Sequence, residues 1–167
     1  MDSLAAALSQ LDGDLWRKSA SGQDTIVWLP LWLISQSGLW IGLARDGRWA
    51  IGRPSGQVAA ATQKMAPGWL PLLDHDESVV KEEISDASAK YNLPVDSLLQ
   101  SLPIDGIIRV ALTGSNAHWI DRALIWLESR TIPEDIYELL PRVSSSKVAG
   151  QRARQRAWRL MKRRSDQ

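Results

Sequence analysis

Residues Ile26 to Arg53, IVWLPLWLISQSGLWIGLARDGRWAIGR, constrain the fold more than any other stretch of the chain. They hold Trp28, Trp32, Trp40 and Trp49, four of nine tryptophans in a sequence that has no phenylalanine. Aromatic side chains dominate core energetics, so a core here must be built from indole, leucine, isoleucine and alanine. Arg45-Asp46-Gly47-Arg48 sets Asp-Gly between two apolar runs, which predicts a two-residue type I′ hairpin. That turn would place Ala44 opposite Trp49, Gly42 opposite Ile51 and Trp40 opposite Arg53. Upstream, the β-branched and aromatic run Ile26–Ile34 predicts a third strand, returning through Ser35-Gln36-Ser37-Gly38. Pro30 cannot donate to a ladder, so this strand is expected at an edge or broken at Pro30.

A bilayer-spanning helix needs about 20 apolar residues. The run Ile26–Ile34 is far shorter and contains a proline, so no membrane contact is expected.

The rest of the chain reads as helix. Leu4, Leu8 and Leu11 keep helical spacing near the start, followed by a polar, irregular stretch over 15–24 that Trp16 anchors. Pro54-Ser55-Gly56 closes the meander. Residues 57–76 form a long structured connection: 57–65 suit either a further strand or a helical turn or two. Pro67-Gly68 and Pro71 then break regularity, with Trp69, Leu70, Leu72 and Leu73 expected to pack against the sheet. From Ser78 the period changes to that of a helix, with Val79, Val80, Ile84, Ala87 and Tyr91 as one apolar stripe and Lys81, Glu82, Glu83 and Lys90 on the wet side. Helices follow over 95–102, 104–112 and 117–130, then a short one opened by Pro133 and ended by Pro141. The last covers 147–164, with Ser144–Ser146 as its cap. The fold class is therefore α+β: a small Trp-rich antiparallel β-meander followed by a helical C-terminal two-thirds. Mainly α is the alternative if 26–34 is helical. No internal repeat period is present.

Charge divides this architecture. Residues 142–167 carry nine basic side chains against Asp166 alone, while 1–141 carry eleven basic and eighteen acidic. The expected organisation is one globular domain over 1–141, with a basic C-terminal helix over 142–167 packed on it. In that helix Ala149, Ala153, Ala157, Leu160 and Met161 form a stripe of mostly small residues. Arg152, Arg154, Arg156, Arg159 and Arg163 surround it. Arginine forks recognise carboxylates and phosphates bidentately. These five arginines, with Trp40 and Arg53 as a cation–π pair, are the expected partner-binding residues.

Catalytic chemistry has little to build on. There is no cysteine, which excludes thiolate catalysis and cysteine-ligated metals. Asp74-His75-Asp76-Glu77 groups four potential ligands, but consecutive residues converge poorly on one ion, and no metal or cofactor is expected. His118 lies one turn from Asp121 without a legible nucleophile. No phosphate-loop or nucleophile-elbow pattern occurs. The residues before Gly13 carry no export signal, and a cytoplasmic location is expected. The function expected is that of a non-catalytic protein-interaction protein, an adaptor or regulator presenting its basic helix to an acidic partner. The alternatives are a nucleic-acid-binding protein using the same helix and, third, a small metal-dependent or hydrolytic enzyme.

Overall fold

The computed structural model describes residues 2–21, 24–35, 38–62 and 67–165. The fold is α+β, with a curled antiparallel sheet followed by helices. Its compact units are Met1–Pro103 and Ile104–Gln167. In the first, helix α1 (Asp2–Ser9) precedes strands β1 (Arg17–Ser21), β2 (Asp24–Ser35), β3 (Leu39–Ala44), β4 (Trp49–Gly52) and β5 (Val58–Ala60). The strands lie in sequence order, each antiparallel to the next. A 3-10 segment, Pro67–Asp74, leads to α2 (Glu77–Tyr91) and α3 (Val95–Ser101).

The hairpin between β3 and β4 corrects the predicted register by one residue. Leu43 faces Trp49, Gly42 faces Ala50 and Trp40 faces Gly52 rather than Arg53. The loop has three residues, because Gly47 donates to the Ala44 carbonyl at 2.9 Å and Ala44 to the Arg48 carbonyl at 2.7 Å. Gly47 adopts φ +84° while Asp46 stays at negative φ, so a type I turn with a glycine bulge replaces the type I′ turn. Asp46 accepts from the Arg48 backbone and pairs with its side chain at 2.7 Å. The Arg48 hydrogen bond holds the Asp46 carboxyl below the usual carboxylate range.

One residue of register exchanges the faces of a strand. Gly42, Ala44, Ala50 and Gly52 therefore gather on one face, and the large side chains Ile41, Leu43, Trp49 and Ile51 on the other. The small-residue face is concave and receives Trp28, fully buried against Ala50 and Val58 with Ile26 and Trp40 beside it. Trp28 Nε1 donates to Ser19 Oγ at 3.0 Å, and Ser19 donates to the Pro54 carbonyl at 3.1 Å. The sheet curls far enough for Ala20 to meet Gln57 in a parallel bridge.

Strand β2 as a whole lies between β1 and β3, but at Pro30 the β1 pairing has already ended, so the expected edge and break are met locally. The missing donor of Pro30 is tolerated because β1 pairs with β2 only as far as Trp28, and the ladder to β3 is irregular between Pro30 and Trp32. Strand β1 replaces the irregular stretch expected over 15–24. Its sequence RKSAS has no apolar alternation, and pairing with β2 supplies what local propensity lacks. The turn after β2 closes through Gly38 donating to the Ser35 carbonyl at 3.1 Å; Gln36 and Ser37 lie outside the described residues. Strand β5 settles the strand-or-helix choice at 58–60, and residues 63–65 of that expected segment also lie outside the described residues.

The second unit contains α4 (Ile104–Thr113), α5 (Ala117–Glu128), α6 (Glu134–Tyr137), α7 (Leu140–Ser144) and α8 (Gln151–Ser165). Pro141 does not end a helix as expected; it lies in the first turn of α7, where its missing N–H costs nothing. Helix α8 starts four residues later than the sequence suggests. Ser146 accepts from the Val148 and Ala149 backbones at 3.1 and 3.4 Å, forming a turn ahead of the helix instead of capping it. Among the described residues no helix is long and apolar enough to cross a membrane.

Candidate functional site

Helix α8 packs on α5 and α7 through the small stripe read from the sequence, with Ala153, Ala157 and Leu160 buried. Small residues at such a seam let two helices approach closely, and the close approach sets the reach of the arginines beside it. Asn116 begins α5, its side chain accepting from the His118 and Trp119 amides at 3.0 and 3.4 Å. Helices α5 and α8 run in the same direction. Arg156 joins Asp121 in the first half of α5, and Arg163 reaches the carbonyls at its C-terminal end.

The arginines therefore divide by role. Arg156 is four-fifths buried and donates to Asp121 at 2.5 Å and to Glu128 at 2.9 Å. Arg163 donates to the Glu128 and Arg130 carbonyls at 2.8 and 3.1 Å, satisfying the free end of α5. Arg154 reaches the Ser146 carbonyl at 3.4 Å. These three are committed to their own unit. Arg159, 66 % exposed, keeps a loose 3.8 Å contact with Glu128, and Arg152 is exposed.

What remains on the outer face of α8 is Gln151, Arg152, Gln155, Trp158, Arg159 and Lys162, all exposed. Trp158 is 53 % exposed, against 38–44 % for Leu33, Val79 and Val148, the other exposed large hydrophobic residues among those described. Lys162 Nζ lies 5.5 Å from the Trp158 ring centroid. Trp158 and Lys162 join this face although neither is among the docking residues expected above. The signal for Trp158 was in the periodicity: it falls opposite the Ala153–Ala157–Leu160 stripe at 3.6 residues per turn.

The other expected pair lies in the first unit. Trp40 is half-buried beside the Trp28 cluster, and Arg53 is exposed just after β4, outside the ladder. The corrected register removes the cross-strand opposition that motivated their pairing.

The histidines find structural surroundings. His75 Nε2 lies 2.7 Å from the Ile34 carbonyl oxygen, and its ring meets Trp32 edge-on at 4.7 Å. His118 packs against Trp119 at 4.6 Å, while the carboxylate of Asp121 is engaged by Arg156. Beside His118, an open hollow of about 700 Å³ lies between the first turns of α5 and α8, with Arg152 and Gln155 in its wall. Elsewhere in the unit, the hydrogen bond from the Arg109 guanidinium holds the Asp135 carboxyl below the usual carboxylate range. No group of three or more potential metal ligands occurs among the described residues.

Comparison with known proteins finds no matching family model, no matching curated protein and no matching solved structure.

Proposed function

We propose that the protein is a non-catalytic cytoplasmic interaction protein, an adaptor or regulator, that presents the outer face of α8 to an acidic protein surface. The observation that carries this is Trp158, an indole 53 % exposed on a helix face between Arg152, Arg159 and Lys162. An exposed tryptophan ringed by cations is costly to leave in water and matches the composition of binding hot spots, in which Trp and Arg predominate. An acidic protein is favoured over nucleic acid by the division of the arginines. Affinity for a duplex grows with the number of phosphates neutralised. Arg154, Arg156 and Arg163 already serve their own unit, which leaves a compact patch centred on an apolar anchor.

The test is fluorescence anisotropy with a labelled helical peptide of glutamate and leucine, and with a labelled DNA duplex, each titrated across a salt series. Binding of the peptide should weaken about tenfold or more in Trp158→Ala, the loss expected for a hot-spot truncation. A comparable loss is expected in Arg159→Ala/Lys162→Ala. Peptide affinity unchanged in these variants would remove the proposal. Tighter binding of the duplex, with a steep salt slope, would transfer the face to nucleic acid.

A further inference from the structure

We propose that the acidic partner of α8 is a second copy of this chain, which docks through the outer face of its own α2. The inference rests on the docking role given to α8 above and names its partner.

The complementary surface is present in the same sequence. On α2, Val80, Ile84, Ala87 and Ser88 are buried against the sheet-bearing unit. The opposite side carries Val79, which is exposed instead of lying on the buried stripe expected for it, with Glu82, half-buried Glu83, Asp86 and Lys90. Their spacings, i, i+3, i+4, i+7 and i+11, place them along one ridge of three acids and one terminal lysine. None of these three acids forms an ion pair among the described residues. Of the two cations of α2, Lys81 is held by Glu77 at 2.9 Å and Lys90, at the C-terminal end of the ridge, lies 5.0 Å from the Tyr91 ring centroid. At 1.5 Å per residue the α2 ridge from Val79 to Asp86 is about 10 Å long, and the α8 face from Arg152 to Lys162 is about 15 Å, so one covers the other.

Each face also holds one exposed apolar side chain, Val79 on α2 and Trp158 on α8. Two of the four exposed large hydrophobics among the described residues thus lie on the two oppositely charged helices. The charge of the units follows the same division. Residues 1–103 hold eight basic and twelve acidic side chains, and residues 104–167 hold twelve basic and seven acidic. With a net charge of only +1, two copies do not repel one another as a whole, while their unlike faces attract. The contact joins unlike faces of two copies, so association either closes, with a reciprocal pair as the smallest closed form, or runs on as an open chain.

Sedimentation equilibrium on the full chain at low ionic strength tests this. The wild-type mass should rise with concentration to that of a dimer or beyond. Arg159→Ala/Lys162→Ala and Glu82→Ala/Asp86→Ala should each remain monomeric, because each lacks one face. Their equimolar mixture should form dimers and nothing larger, since one intact α8 then meets one intact α2. Recovery in the mixture also shows that both variants are folded. A wild type that stays monomeric up to about 1 mM, the weak end of specific association, would overturn the proposal. So would an α2 variant that associates like the wild type, or a mixture that stays monomeric. The glutamate–leucine peptide separates the two levels. If it binds wild type and the α2 variant equally but the wild type is monomeric, α8 remains a docking face and the homotypic contact alone is wrong. If the peptide ignores the α8 substitutions, the docking face itself is wrong.

Discussion

Arg156 and Arg152 are one helical turn apart on α8, yet their physical situations are opposed. Arg156 has its guanidinium between Asp121 and Glu128 at 2.5 and 2.9 Å, and only a fifth of its side chain meets water. Arg152 stands in solvent. Removing Arg156 leaves two carboxylates of α5 without their shared counter-charge. Arg156→Ala should therefore cost about 1–2 kcal/mol, above the range of an isolated surface pair because two charge-assisted bonds are lost together. Arg152→Ala should stay within about 0.5 kcal/mol, as surface substitutions do. Urea denaturation of the two variants beside wild type measures both, and equal costs would remove the distinction between structural and available arginines. Arg156→Lys should recover only part of the loss, since an ammonium cannot span both carboxylates as the planar fork does. At this scale the sequence was only partly informative. A count of arginines marks a basic helix, but which of them find a carboxylate depends on how α5 passes beneath it, and that is a tertiary fact.

Among elements, the sheet shows most clearly what one residue of register decides. The pattern between Ile26 and Arg53 was enough to read strands, a turn at Asp46-Gly47 and a helical remainder. It was not enough to choose between a two-residue and a three-residue loop, because Asp-Gly satisfies both and only the sign of φ at Asp46 separates them. The three-residue loop gathers Gly42, Ala44, Ala50 and Gly52 on the concave face, and Trp28 fills the room they leave. Gly42 is then indispensable. A Cβ there would run into the Leu29 carbonyl and come within 2.9 Å of the Pro30 Cα, both backbone atoms that cannot swing aside. Gly42→Ala should cost about 3 kcal/mol or more, at or beyond the upper end for overpacking. Near-ultraviolet circular dichroism during thermal unfolding follows this through Trp28, whose signal should melt earlier than in wild type. Strand β1 escaped the sequence for a related reason: RKSAS carries no period-2 signal, and its pairing with β2 is fixed by the chain opposite. The helices were easier because their period is local. Their ends were harder: α1 and α5 each stop two residues early, the one short helix read between Pro133 and Pro141 divides into α6 and α7, and α8 starts late, since proline and serine permit a start as readily as a stop.

For the molecule as a whole, charge is unevenly placed rather than abundant, and the two uses of arginine predict different responses to salt. The Debye length falls from about 30 Å at 0.01 M to about 3 Å at 1 M. Charges that meet only when two copies approach lose most of their attraction over that range, because exposed charges are screened from afar. Arg156, largely shielded and in direct contact with Asp121 and Glu128, is screened far less. Measured over one salt series, the association constant of the wild type should fall at least tenfold from 0.01 to 0.5 M. The melting temperature of the protein should change little over the same interval. Burial of the indole does not depend on ionic strength, so the association that survives in high salt belongs to Trp158 and should vanish in Trp158→Ala. A melting temperature that falls in step with association would place the exposed cations in the folding energetics instead, and α8 would then serve the stability of its own chain. Parallel loss of salt-resistant association in Trp158→Ala and salt-sensitive association in Arg159→Ala/Lys162→Ala would separate the apolar and ionic halves of one interface.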